Sequence, residues 1–168
     1  MLTPTALQTR RLALLPLQVG DAKSMVEVLA DDGMYEFTGG QPPTLAELRE
    51  RYARLAVGQS ADGSELWFNW IVCLIDGSVP VGAMQATVAP DGATADVAWQ
   101  IGVRWQGRGL ASEAAEEVVR WLTVQGVAVV RALIHPNHVA SQLVAQRAGL
   151  RSTSDIEDGE VAWMRPAQ

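Results

Sequence analysis

The feature that most constrains this chain is the stretch "WQGRGLASEA", Trp105 to Ala114. It joins an alternating run, "ADVAWQIGV", to an amphipathic run, "SEAAEEVVRWLTVQG", with almost no loop between them. Gly107 and Gly109 allow positive φ and close approach of a ligand to the backbone. The helix that follows aims its unpaired N–H groups and positive dipole end at the same place. An anion is expected there, most naturally a phosphate or pyrophosphate, although a plain strand-to-helix turn has the same residues. Leu110 and Ala111 stand where a Walker loop needs lysine and a hydroxyl residue, so that motif is excluded. The loop follows a late strand of a meander, not the first strand of a βαβ unit, which sets aside the dinucleotide fingerprint.

The rest of the chain places this loop in an α/β domain with a mixed sheet. "LQTRRLALLPL" reads as a first strand near Gln8 to Leu14, ended by Pro16. Val19, Ala22, Met25, Val26 and Leu29 fall at helical spacing, and Thr44 with Glu47 forms a capping box for a second helix ending at Gly58. "LWFNWIVCLIDG" and "VPVGAMQATVA" read as a hairpin turning around Asp76 to Ser78, with "GATADVAWQIGV" as the third meander strand. Ala111, Ala115, Val118, Val119 and Leu122 share one face of the next helix, which ends at Gly126. "VAVVRALIHP" is the continuous apolar run of a buried parallel strand. A helix over "NHVASQLVAQRAG", capped by Gly149, precedes a closing hairpin turning at Asp158-Gly159.

Composition narrows the function classes. The 168 residues are 48% hydrophobic and 19% charged, which fits one globular domain over residues 1–168. Thirteen Lys and Arg against 19 Asp and Glu give a net charge of −6, which disfavours nucleic-acid binding and suits a cationic substrate. No apolar run reaches the roughly 18 residues needed to span a bilayer. The N-terminus lacks the pattern of a leader, so a cytoplasmic location is expected. Cys73 sits in an apolar run and is read as a core residue.

Gln106-Gly107-Arg108-Gly109-Leu110-Ala111 resembles the Q/R-x-x-G-x-G/A signature of the GCN5-related N-acetyltransferases. "IHPNHVASQLVAQRAGL" and "TRRLALLPL" resemble segments of that family's ribosomal-protein N-acetyltransferase-like branch, so the likeness covers nearly the whole chain. It implies a mixed sheet of about seven strands with about four helices, and acetyl-CoA in a cleft between splayed parallel strands. It further implies that Ile101 and Val103 offer backbone groups to pantetheine. The N–H groups of Arg108, Gly109, Leu110, Ala111 and Ser112 would hold the pyrophosphate, with Gln106 and Gly107 also at the cofactor and Ser112 alternatively a helix cap.

The reaction needs an uncharged amine, a stabilised oxyanion and a proton for the departing thiolate. By alignment Asp96 falls where some relatives carry a base, though a solvent-facing carboxylate at a strand end would look the same. His138 stands where relatives usually have an asparagine against the pantetheine arm. Asn137, one residue early, is the other candidate, and His138 could relay protons. The tyrosine that serves many relatives as acid falls at Ala145, leaving Ser141 as the donor. Asp32, Tyr35 and Glu36, with Trp67, Trp70 and Trp99, would line an acidic, aromatic acceptor wall. That wall suggests an aminoglycoside, and "GGQPPTLAELRERYARLA…NWIV" faintly resembles kasugamycin-type aminoglycoside 2′-N-acetyltransferases. Acetylation of a protein N-terminus and a non-catalytic acetyl-CoA-binding module are the alternatives. No metal is expected, and the chain is expected as a monomer or homodimer.

Overall fold

The computed structural model describes residues 2–165. Eight strands form one sheet in the order β1-β2-β3-β4-β5-β6-β8-β7, and helices cover both faces. The strands are β1 (Leu7–Gln8), β2 (Leu12–Pro16), β3 (Leu66–Leu74), β4 (Val79–Val88), β5 (Thr94–Ile101), β6 (Val129–Ile134), β7 (Arg151–Glu157) and β8 (Glu160–Met164). The helices are α1 (Ala22–Val28), α2 (Leu45–Leu55), α3 (Leu110–Val124) and α4 (Val139–Arg147).

The expected first strand is two strands in a tight antiparallel pair, Leu7 facing Leu14 and Gln8 facing Ala13. Thr9 makes the break. Its N–H donates to Leu12 O at 2.9 Å, and its Oγ1 accepts the Leu12 N–H at 3.0 Å. This split gives eight strands where about seven were expected. The capping box at α2 is present, with Glu47 N–H donating to Thr44 Oγ1 and Thr44 N–H to Glu47 Oε2. The closing hairpin turns on Asp158 and Gly159, both at positive φ.

Alternation along the strands sorts the two faces. Phe68, Trp70 and Val72 on β3, with Met84 and Ala86 on β4, face α3. That helix buries Ala114, Ala115, Val118, Val119, Trp121 and Leu122 against them. Ile71 and Cys73 point the other way and pack beneath α1 and α2 against Met25, Leu48 and Tyr52. Cys73 is a buried free thiol, and burial raises its pKa, with Asp21 acting in the same direction.

One departure from regular pairing positions the site. Parallel β5 and β6 pair only from Thr94–Val129 to Asp96–Arg131. Beyond that rung β6 turns its pairing wholly to β8, while β5 stays on β4 as far as Ile101 opposite Gly82. A Cβ at residue 82 would lie 2.1 Å from Gln100 O, so glycine is what lets β4 hold the end of β5 this closely. The facing edges of β5 and β6 separate into a fork.

Candidate active site

The fork is lined by Val97, Ala98 and Trp99 on one side and by Ala132, Leu133 and Ile134 on the other. Its cavity measures about 80 Å³, narrow enough for a thioester end but not for a whole coenzyme. Ser141 and His138 close it from α4, and Phe37 and Thr38 from the segment before α2. Inside, Trp99 Nε1–H donates to Ser141 Oγ at 3.2 Å, and Ser141 Oγ lies 3.3 Å from His138 Nε2. Phe37 stacks on the His138 ring, with centroids 4.6 Å apart at 19°, and tilts onto His135 at 5.3 Å. Burial lowers the pKa of His138. His135 pushes the same way, and Glu36 opposes both. His138 is therefore neutral at pH 7, with a ring nitrogen able to exchange a proton with Ser141.

At the mouth of the fork the chain makes a 3-10 turn over Val103–Trp105 and then the glycine loop. Gln106 Nε2 donates to Ile101 O at 2.8 Å and fastens the turn. Gly107 and Gly109 have φ of 75° and 76°, and Gly109 caps α3 in the left-handed region. Glu113 N–H is the first in α3 with a protein acceptor, Gly109 O at 3.1 Å. Among the described residues, the N–H groups of residues 107–112 have none. A Cβ at Gly107 would meet nothing within 4 Å, so the space beside the start of this run is open. Six uncommitted donors at a helix N-terminus, beside a fork in the sheet, fit a pyrophosphate with its pantetheine arm laid along β5.

A brace behind the loop was not foreseen. Arg11 Nη1 donates to Arg108 O at 3.0 Å, and Arg11 Nε donates to Glu113 Oε2 at 2.7 Å. Thr9 Oγ1–H and Arg11 N–H both donate to Glu113 Oε1. Burial alone would raise the Glu113 pKa, but these hydrogen bonds and the Arg11 charge bring it below its ordinary value. The signal was the Thr9-x-Arg11 pair in "TRRLALLPL", whose partner lies about a hundred residues away on α3.

The other expected residues are dispersed. Ile101 is buried and its carbonyl is taken by Gln106, while Val103 is exposed at the turn. Arg108 is exposed, and Ser112 is buried inside α3 and does not cap it. Of the pair at α4, His138 lines the fork and Asn137 is exposed outside it. Asp96 does not line the fork. Both its oxygens receive Arg131, at 2.6 Å from Nε and 2.8 Å from Nη2, and Arg131 Nη1 also reaches Glu157 Oε2 at 2.8 Å. Both oxygens of Asp96 are thus turned to Arg131 and away from the fork.

The expected acceptor wall needs correction. Trp70 is 1% exposed, packs edge-on against Trp121 at 5.4 Å and donates Nε1–H to Thr5 O. Trp67 lies at the paired end of the sheet, opposite Thr87 and level with Asp96, and donates to Glu65. Neither reaches the fork, because alternation turns Trp70 into the core and register carries Trp67 to the far end. Asp32 is exposed in a 3-10 turn away from the cavities. Tyr35 does line a second, wider cleft of about 610 Å³, with Thr38, Gly39, Gly40, Gln100 and one face of α2. Thr38 borders both cavities.

A forked sheet with a donor-rich glycine loop at its mouth fits a protein that holds a phosphate-bearing coenzyme with its arm directed into the sheet. The acetyltransferase (GNAT) domain pattern matches residues 11–151, and the chain belongs to that family, whose members are acetyl-CoA-dependent N-acetyltransferases. No curated protein matches the chain. Among solved structures it is similar to the ribosomal L7/L12 α-N-protein acetyltransferase RimL in complex with coenzyme A. There the TM-score is 0.81 at 13% identity, over 97% of this chain and 98% of that one. It is also similar to the aminoglycoside acetyltransferase AAC(6′)-Ib in complex with coenzyme A, with TM-score 0.76 and 19% identity over 94% and 95% of the two chains. A GNAT-family acetyltransferase from Bacillus anthracis gives 0.76 and 16%, over 95% and 96%. Among the described residues no helix is long and apolar enough to cross a membrane.

Proposed function

We propose that the chain acetylates a primary amine of a small molecule, which enters through the wider cleft and meets the donor at Thr38. The hydrogen-bonded line Trp99–Ser141–His138, set in the fork, carries this reading. Bound acetyl-CoA supplies an activated acetyl group with a thiolate as its leaving group. The loop N–H groups of residues 107–112 bind its pyrophosphate, and β5 orients its arm. Ser141 holds a proton at Oγ for the departing sulfur, with Trp99 fixing that oxygen. Neutral His138 restores the proton at Ser141 by taking one, through water, from the attacking amine. Asp96, its oxygens on Arg131, takes no part in that transfer.

The cleft of about 610 Å³ falls within the roughly 300–1,000 Å³ of small-molecule sites. The aminoglycoside reading keeps this room and Tyr35, but loses Trp67 and Trp70. Thiol release from acetyl-CoA, followed across aminoglycosides, diamines, amino acids and peptide N-termini, tests the proposal. A small-molecule amine is expected to turn over with a lower KM than any peptide. Preference for a peptide would overturn it, and binding without thiol release would leave a non-catalytic module. Ser141→Ala is expected to lower kcat about 10²-fold, within the range for one acid–base group, with little change in acetyl-CoA KM. An unchanged kcat would remove Ser141 from the mechanism.

A further inference from the structure

We propose, resting on the small-molecule reading above, that the acceptor carries an anionic group beside its amine, and that Arg51 receives it. The cleft-facing side of α2 is a stripe of Glu47, Glu50, Arg51 and Arg54 at positions i, i+3, i+4 and i+7. Its charges balance in number but not in engagement. Arg54 Nη1 is 3.4 Å from Glu50 Oε1, so those two form a pair. Glu47 stands four residues before Arg51, the spacing at which such residues usually meet. Here Glu47 turns back instead, its Oε2 accepting the Thr44 N–H at 2.8 Å to complete the capping box. The cap that starts α2 thus keeps Glu47 from closing an ion pair with Arg51. Among the described residues Arg51 makes no ion pair.

The other polar groups around it are neutral. Gln41 and Gln100 present amides, and the Tyr35 hydroxyl is already spent on Leu29 O at 2.8 Å. The charge of Arg51 is felt at Tyr35 across the cleft, where it lowers a phenol pKa that burial raises. A chain of net charge −6 therefore opens its acceptor cleft onto one guanidinium whose N–H donors are held by no ion pair. A guanidinium there favours a carboxylate or a phosphate, each able to take two of its N–H donors. A polycation gains nothing from it.

The test is steady-state thiol release with paired amines that differ in one charge: lysine against cadaverine for carboxylate, and phosphoethanolamine against ethanolamine for phosphate. Spermidine provides the polycation. The anionic member of at least one pair is expected to show a KM about tenfold lower or more, and the better pair identifies the anion. Arg51→Gln is expected to collapse that ratio, and Arg51→Lys to restore part of it. Arg51 is exposed on α2, so both variants fold. Equal KM values within both pairs, a preference for spermidine, or a ratio unmoved by Arg51→Gln would overturn the inference while leaving amine acetylation standing. Silence with every amine would instead overturn the parent reading, and this one with it.

Discussion

His138 shows how far one residue's surroundings decide its chemistry. Its ring is sandwiched between Phe37 and the fork, so the protonated form loses hydration that nothing replaces in full. The folded chain therefore binds a proton there less readily than the unfolded chain, whose histidine titrates near ~6.5. Stability contributed by the neutral ring is present above that value and is lost as pH falls through it toward the depressed folded pKa. His138→Asn is expected to flatten the fall in melting temperature between pH ~7 and ~5, measured by thermal unfolding across that range. Glu36 is the group that opposes the depression, so Glu36→Gln is expected to move the His138 midpoint further down in an NMR titration. An unchanged midpoint would show that Glu36 does not act on this ring.

Between elements, the decisive contact is the one that stops β5 and β6 from separating earlier. Asp96 and Arg131 form the last paired rung, and their side chains add a bidentate ion pair extended by Glu157 on β7. Arg131 is held above its ordinary pKa, chiefly by its hydrogen bond to Asp96. The rung sets where the fork begins, so loosening it should disturb cofactor binding before chemistry. A partly exposed pair of this kind is worth about 0.2–1 kcal/mol, and Asp96→Asn is expected to raise acetyl-CoA KM by at most about fivefold. The pH–rate profile should keep its shape. A 10²-fold or larger fall in kcat with loss of the acidic limb would instead return Asp96 to the role of base. Strand-to-helix order, the capping box and the glycine loop were legible in the sequence, since each depends on neighbours within a few residues. Asp96–Arg131 and Arg11–Glu113 were not, because each joins residues that only strand register and helix docking bring together.

Across the whole molecule, one sheet serves two cores, and that explains why its tryptophans misled. β3 reads "LWFNWIVCL", with apolar residues on both faces because helices cover both, so alternation alone does not say where Trp70 points. The structure gives Trp70 and Trp99 different work, although they lie on one face of the sheet, each opposite Met84. Trp70 joins Phe68 and Trp121 in a ring cluster beneath α3. Trp99 stands at the fork, its Nε1–H on Ser141. Truncating a fully buried tryptophan costs about 3–5 kcal/mol. For a chain of this size, Trp70→Ala is then expected to lower the melting temperature by roughly 6–20 °C. The acceptor KM of the folded fraction should stay unchanged. Trp99→Phe keeps an aromatic ring at a half-buried position while removing the donor, so its melting temperature should move far less than that of Trp70→Ala while kcat falls. Measuring both quantities on both variants separates the two roles. A catalytic defect confined to Trp70→Ala, with Trp99→Phe silent in both assays, would mean that the fork does not depend on a fixed Ser141.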